Sequence, residues 1–244
     1  MEKQEERNMT FSNECKEAAA RWWNGSFTHP FVKGIGDGTL TLDRFTYYVM
    51  QDSYYLTHFA KVQSYGAAIS EDLHTTGRMA YHAQGTYEAE LSLHRKFTEL
   101  LQISDEALAN FKPSPTAYAY TSHMYRSVKS GRFEEILAAL LPCYWLYYEV
   151  GEKLKQTTPD HPIYQEWILT YGGDWFKELV FEQVNRFDEL AEKAPEHVRA
   201  NMKENFVISS YYEYHFWEMA YEKEMWQTAC LDGVGANGTP CSDK

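Results

Sequence analysis

The sequence predicts an all-α protein, a compact bundle of about eight helices. Three observations carry this. Apolar residues recur at three- and four-residue steps from end to end, the period of a buried helix face. No stretch shows the strict alternation of a half-buried strand. The breaks between periodic stretches are short and rich in Gly, Pro, Ser and Asn, as expected for neighbouring helices in one bundle. The chain has 244 residues, a length at which roughly 70–75% of the unfolded surface can be buried without a disulfide or metal. A single domain is expected over 9–226, flanked by disordered tails at 1–8 and 227–244.

The elements follow in order. A first helix is expected over 12–23, with Ser12 as a candidate cap. Asn24-Gly25-Ser26, His29-Pro30 and Gly34-Ile35-Gly36-Asp37-Gly38 then read as a connector. Those glycines lack the preceding strand and the lysine of a phosphate loop. A second helix starts after Thr41, with Phe45, Tyr48, Val49, Asp52, Tyr55, Leu56 and Phe59 on one broad face. A third covers 76–101. Phe111-Lys112-Pro113-Ser114-Pro115 is a breaker, and a helix over 116–130 ends at Gly131. The next, over 132–155, contains Pro142, which has no N–H and crowds the preceding turn, so a kink or restart is expected there. Helices over 161–170, 175–193 and 195–226 complete the bundle.

Composition excludes several classes. The net charge is −12, which argues against a large basic nucleic-acid surface. The longest apolar run is about 13 residues around Cys143, shorter than the ~18 that a membrane span requires. Residues 1–8 are charged and carry no apolar signal-peptide core, so a soluble, cytoplasmic protein is expected. Four cysteines are present, Cys15, Cys143, Cys230 and Cys241, with no Cys-x-x-Cys pair for zinc or redox chemistry. Di-iron bundles need two Glu-x-x-His motifs; Glu71-Asp72-Leu73-His74 alone fits, near an expected helix end. No metal site is expected. The 19 tyrosines outnumber the phenylalanines, and fit either a polar core network or a pocket for a flat polar ligand.

Three residues stand out chemically. Cys143 follows Pro142 in an apolar helix. It reads as a buried structural thiol or, if the helix restarts at the proline, as a nucleophile whose thiolate the new helix N-terminus favours. Asp52 lies among Tyr48, Tyr55 and Phe59. A carboxylate there must be paired or hydrogen-bonded, either by tyrosine hydroxyls or by a ligand. Glu213, in Ser209-Ser210-Tyr211-Tyr212-Glu213-Tyr214-His215-Phe216-Trp217, sits one turn from Phe216 in a similar aromatic setting. Two acids among aromatics, together with a thiol, suit a flat nitrogenous ring: aromatic faces stack on it, and carboxylates bond its amino group and ring nitrogens. An acid kept protonated by its surroundings can serve as a general acid.

Several separate stretches, in order, resemble the TenA family of thiaminases II. They are Trp22-Trp23 to Ser26-Phe27, His29-Pro30-Phe31-Val32 with the glycine run, and Tyr47-Tyr48-Val49-Met50-Gln51-Asp52-Ser53-Tyr54-Tyr55-Leu56. Leu141-Pro142-Cys143-Tyr144-Trp145, Thr170-Tyr171-Gly172-Gly173 and the segment around Glu213 complete the set, and the likeness spans about 11–226. It implies a haem-oxygenase-like fold without haem, no cofactor, and a homotetramer. It also implies hydrolysis of 4-amino-5-aminomethyl-2-methylpyrimidine to the hydroxymethyl compound with release of ammonia, cleavage of thiamine into its pyrimidine and thiazole halves, and pyrimidine salvage for thiamine biosynthesis. By the same resemblance Cys143 is the nucleophile, Glu213 the proton donor and Asp52 the carboxylate on the aminopyrimidine edge. Tyr55 lies beside the thiol, Phe216 stacks on the ring, Tyr120 and Tyr171 position thiol and substrate, and Tyr147 is a further pocket residue. The alternative is a non-catalytic thiamine- or pyrimidine-binding or regulatory protein.

Overall fold

The computed structural model describes residues 9–227, apart from the side chains at 90–95, 98 and 105. The tails expected at 1–8 and from 228 onward, with Cys230 and Cys241, lie outside the described residues. Within them the chain forms eleven α-helices and no strand. These are α1 (Phe11–Ala18), α2 (Ala20–Ser26), α3 (Pro30–Asp37), α4 (Leu42–Ile69), α5 (Leu73–Leu101), α6 (Asp105–Ala109), α7 (Pro115–Val128), α8 (Phe133–Leu154), α9 (Pro162–Tyr171), α10 (Asp174–Lys193) and α11 (Glu196–Glu222).

The all-α expectation agrees with the structure; the count of about eight does not. The first expected helix is two, α1 and α2, divided at Ala19. Its cap is Thr10, whose side chain accepts from the Asn13 N–H. Ser12 lies inside α1, and its N–H and hydroxyl both donate to the Asp188 carboxylate of α10, at 2.7 and 2.8 Å. The glycine run expected as a connector is the body and end of α3. His29 caps α3 and Pro30 occupies its first turn, where a missing N–H costs nothing. An added Cβ at Gly36 would stand 2.8 Å from Leu154 Cδ2, so that glycine lets α3 lie against the end of α8. Gly38, at φ 71°, closes α3 in the left-handed conformation that glycine adopts without strain. The short α6, capped by Ser104, had no sequence signal beyond its cap. The last helix stops at Glu222, short of the expected 226, with Lys223 at φ 51°.

The largest correction concerns Pro142. Helix α8 runs through it as one element, so the helix does not restart there and Cys143 is mid-helix rather than at the N-terminus of a new helix. The proline removes one hydrogen bond and the bundle outweighs that loss, because α8 is buried along nearly its whole length. A helix apolar on all sides belongs at the centre, and α8 packs against α4, α7, α9, α10 and α11. The neighbouring helix also contributes: Ser209 Oγ of α11 donates to the carbonyl of Ala139 at 2.7 Å, next to the carbonyl that Pro142 leaves without its usual donor.

Candidate active site

Three helices bring the thiol and its acids together. Helix α4 carries Asp52 and Tyr55, α8 carries Cys143 and Tyr147, and α11 carries Glu213 and Phe216. Tyr120 comes from α7 and Tyr171 from the last turn of α9. The placement of Tyr171 depends on two glycines. A Cβ at Gly151 would stand 2.5 Å from the Gly172 backbone nitrogen and 2.6 Å from the Tyr171 carbonyl carbon. Main chain therefore touches main chain where α9 ends on α8. That contact sets Tyr171 against Tyr147, their ring centroids 4.8 Å apart.

The eight expected residues form two layers. Asp52, Cys143, Tyr147 and Tyr171 line a cavity whose other walls are mostly apolar and aromatic, among them Leu56, Phe59 and Phe176, the usual lining of a small-molecule site. Glu213, Tyr120, Tyr55 and Phe216 form a buried layer behind the thiol. Tyr55 packs on Tyr120 at 4.8 Å and edge-on to Phe216 at 5.7 Å. Phe216 is thus in the second layer, short of the cavity wall where the sequence reading puts a ring-stacking residue.

Electrostatics assign the protons. Glu213 is 1% exposed. Burial pushes its carboxyl up to about 8, against the smaller opposing effect of Tyr120. The Tyr120 hydroxyl donates to Oε1 at 2.5 Å, so at neutral pH the acid's own proton resides on Oε2. Burial also raises the Cys143 thiol well above its ordinary value; Glu213 adds to this once it is ionised, Tyr55 opposes it, and Asp52 adds again. The thiol is therefore protonated in the resting protein. Tyr55 is the group nearest to stabilising a thiolate, yet its buried hydroxyl completes no hydrogen bond in the resting geometry. On the cavity wall, burial first, then Tyr48 and the Asp52 charge, hold the Tyr147 and Tyr171 hydroxyls neutral. Trp167 Nε1 donates to Tyr48 Oη at 3.3 Å, and Tyr48 donates to Tyr147 Oη at 3.4 Å. The tyrosines thus form both a core network and a pocket wall.

Sequence reasoning missed the opposite wall. His82 and Thr86 of α5 and Tyr144 of α8 line the same cavity. Gln63 Nε2 donates to Tyr144 Oη, which leaves the tyrosine proton for His82 Nδ1, 3.0 Å away. His82 Nε2 lies 3.5 Å from Glu182, which Arg78 and Arg186 hold. Tyr144 could have been noticed as the neighbour of Cys143. His82 carries no motif, and a lone helical histidine reads as a hydrogen-bonded structural residue, which it also is. Among the described residues no group of three or more His, Cys, Asp or Glu could hold a metal ion. The Glu71–His74 stretch straddles the start of α5. No helix among them is long and apolar enough to cross a membrane.

Comparison with known proteins agrees with this architecture. The TENA/THI-4/PQQC family profile matches residues 16–223. The chain is 74% identical over 226 residues to a Bacillus subtilis protein named aminopyrimidine aminohydrolase, covering 93% of this chain and 96% of that one. Among solved structures, a TenA homologue from P. horikoshii OT3 superposes with a TM-score of 0.80 at 26% identity, covering 88% of this chain and 99% of that one. A Shewanella denitrificans domain with a haem-oxygenase-like fold superposes at 0.68 and 16% identity, covering 86% and 91%; it supports the fold alone. The fold is haem-oxygenase-like, and the chain belongs to the TENA/THI-4/PQQC family.

Proposed function

We propose that this protein is an aminopyrimidine aminohydrolase, a thiaminase II of thiamine-pyrimidine salvage. It converts 4-amino-5-aminomethyl-2-methylpyrimidine and water to the hydroxymethylpyrimidine and ammonia, and cleaves thiamine between its two rings. The observation that carries the reading is a thiol on a cavity wall with a protonated acid behind it and a carboxylate beside it. The B. subtilis relative's name supports the same class.

The chemistry follows from these protonation states. Asp52 takes the amino group of the pyrimidine edge. Glu213 gives its proton to a ring nitrogen, which makes the neighbouring unsubstituted ring carbon electrophilic. Cys143 gives up its proton, which goes on to the departing amine, as its sulfur bonds to that carbon. Electron pairs return through the ring and break the methylene–nitrogen bond, and the amine leaves with a proton. Water adds to the exposed methylene. The carbon–sulfur bond then breaks, the remaining proton of the water restores the thiol, and the ring-nitrogen proton returns to Glu213. Addition followed by elimination divides one difficult displacement into easier steps. A thiol that is neutral until substrate arrives suits this sequence, since the cationic ring supplies the charge that favours thiolate. Tyr55 is poised to stabilise that thiolate, and Tyr120, Tyr147 and Tyr171 hold the acid and ring in place. Phe216 backs Tyr55 and reaches the ring only if the second layer opens.

The proposal includes one domain over 9–226 and a cytoplasmic homotetramer, both resting on family resemblance; sedimentation of the purified protein tests the assembly. The activity is tested by incubation with the aminomethylpyrimidine and, in parallel, with thiamine. Ammonia from the first and thiazole alcohol from the second are expected. Binding without either product would reduce the protein to a pyrimidine-binding module.

A further inference from the structure

After α11 the chain doubles back onto the bundle. Lys223 turns it in the left-handed conformation at φ 51°, and 224–227 cross the start of α7. The Glu224 carboxylate accepts from the Thr116 N–H at 2.9 Å. Trp226 Nε1 donates to the Pro113 carbonyl at 2.8 Å, and its ring meets Tyr118 edge-on at 6.1 Å. The same strap is tied to α4: the Tyr47 hydroxyl donates to the Glu224 carbonyl, and Lys223 pairs with Asp43. Neither Glu224 nor Trp226 lines the cavity, and neither has a part in the chemistry above.

The donors at the start of α7 show what the strap supplies. The N–H groups of a helix cap and of the first residues after it have no partner within the helix. Ser114, the cap, donates its N–H to Gln51 Oε1 of α4 at 2.9 Å. Pro115 has no N–H. Thr116 donates to Glu224, and Ala117 to the Ser114 hydroxyl at 3.0 Å. Ser114 Oγ alone is a local partner. The others come from α4, one residue before Asp52, and from the strap. The start of α7 is thus pinned from two sides, and the Glu224 charge suits the positive end of the helix dipole.

That pinned turn leads to the acid. Tyr120 lies one turn on from Thr116, on the same face, and its hydroxyl donates to Glu213 Oε1 at 2.5 Å. A hydrogen bond this short tolerates little displacement of α7. Burial holds the other hydroxyls and thiol around the Glu213 carboxyl neutral: Tyr55 of α4, Cys143 and Tyr147 of α8. Tyr120 is the neighbour that lowers its proton affinity.

Building on the aminopyrimidine reading, we infer that Glu224 and Trp226 are positioning residues for the proton donor: by fixing the first turn of α7 against α4, they hold Tyr120 on Glu213.

The test measures kcat, KM and their pH dependence on the aminomethylpyrimidine for the wild type, Glu224→Ala, Glu224→Gln, Trp226→Ala, Tyr120→Phe and the double variant Tyr120→Phe/Glu224→Ala. Glu224 and Trp226 lie outside the buried core, so their replacement leaves no core cavity. Both single alanine variants are expected to lower kcat about threefold with KM nearly unchanged. They should also move the alkaline limb of kcat/KM to higher pH, the direction set by loosening the Tyr120 hydrogen bond. Glu224→Gln keeps an acceptor for Thr116 and should restore most of the rate. In the Tyr120→Phe background Glu224→Ala should move the limb no further. A limb that stays in place in both alanine variants, or a shift that adds fully to that of Tyr120→Phe, overturns the positioning role and leaves the aminopyrimidine reading intact. A wild type inactive on its substrates overturns that reading. The strap is then read from stability against pH: the alkaline loss of stability should reach higher pH in Glu224→Ala, and a profile that does not move overturns the strap as well.

Discussion

Two glutamates flank one cavity and hold opposite charges. Glu213 lies behind the thiol, with the Tyr120 hydroxyl as its hydrogen-bond donor; burial dominates and its carboxyl rises to about 8. Glu182 lies behind His82. Burial pushes its carboxyl up as well, but Arg78's hydrogen bonds, then the charges of His82, Arg78 and Arg186, overcome this and hold it at about 2. The same side chain is a proton store in one wall and a fixed anion in the other. A neutral hydroxyl cannot compensate for the loss of water around a carboxylate, whereas guanidinium groups can. The acid proposed as proton donor is the one without a cation beside it.

The largest test of this contrast removes the group that Glu213 serves. Cys143→Ser is expected to lower kcat on the order of a thousandfold or more while the melting temperature stays close to the wild type; a serine variant with near-normal turnover sinks the nucleophile assignment.

Glu213→Gln comes next and moves two quantities in opposite directions. Loss of the proton donor should lower kcat by roughly a hundredfold or more. Stability should rise with pH relative to the wild type. A folded-state value of about 8 against the ordinary 4.5 means that the neutral carboxyl is favoured by folding. Its stabilising contribution is full below the unfolded value and is lost as pH rises toward 8. At ~1.4 kcal/mol per pH unit, the wild type carries a penalty of up to about 3 kcal/mol at neutral pH that the amide avoids. Denaturation at pH 5 and pH 8 measures it; an equal difference at both would show that Glu213 is not held protonated. In the wild type, kcat/KM should fall as pH rises through about 8.

Glu182→Gln should show the reverse pattern. Its depressed value means that stability is present above the ordinary carboxylate value and lost as pH falls toward 2. The amide variant should be less stable by about 1–3 kcal/mol at pH 7, because it leaves two half-buried arginines without their anion, and the difference should shrink in acid. Turnover of the small substrate should be nearly unchanged; an activity loss as large as that of Glu213→Gln would end the comparison.

The smallest effect belongs to Tyr120→Phe. Its hydroxyl lowers the Glu213 value, so without it the alkaline limb of the rate profile should move up. About 1 kcal/mol of stability should go with the hydrogen bond. A limb that moves down would show that Tyr120 does not act through Glu213.

The parts of the site legible in sequence are those that sit in continuous patterns. Asp52 was visible because it interrupts an apolar face of α4, and Glu213 because aromatics surround it on α11. Cys143 was visible through its proline; of the kink or restart expected there, the restart is absent because burial along α8 holds the helix together. His82 was invisible, since its partners Tyr144 and Glu182 lie on other helices, and no spacing along α5 separates it from an ordinary core histidine. The glycines of α3 were visible as glycines and misread as a connector, because close helix packing and chain reversal both call for a residue without a side chain.

Sequence alone determined the helical class, the chemical types available and, through several motifs in order, the family. Periodicity and local residue identity are enough for these. Protonation, access and volume were decided by tertiary structure alone. The acid and the hydroxyl that bonds it are 93 positions apart, and the histidine and tyrosine of the facing wall are 62 apart. A pKa is set by the water a group loses and the charges it meets, and a cavity by what neighbouring helices fail to fill. Neither exists until α4, α5, α7, α8, α10 and α11 have closed around one another.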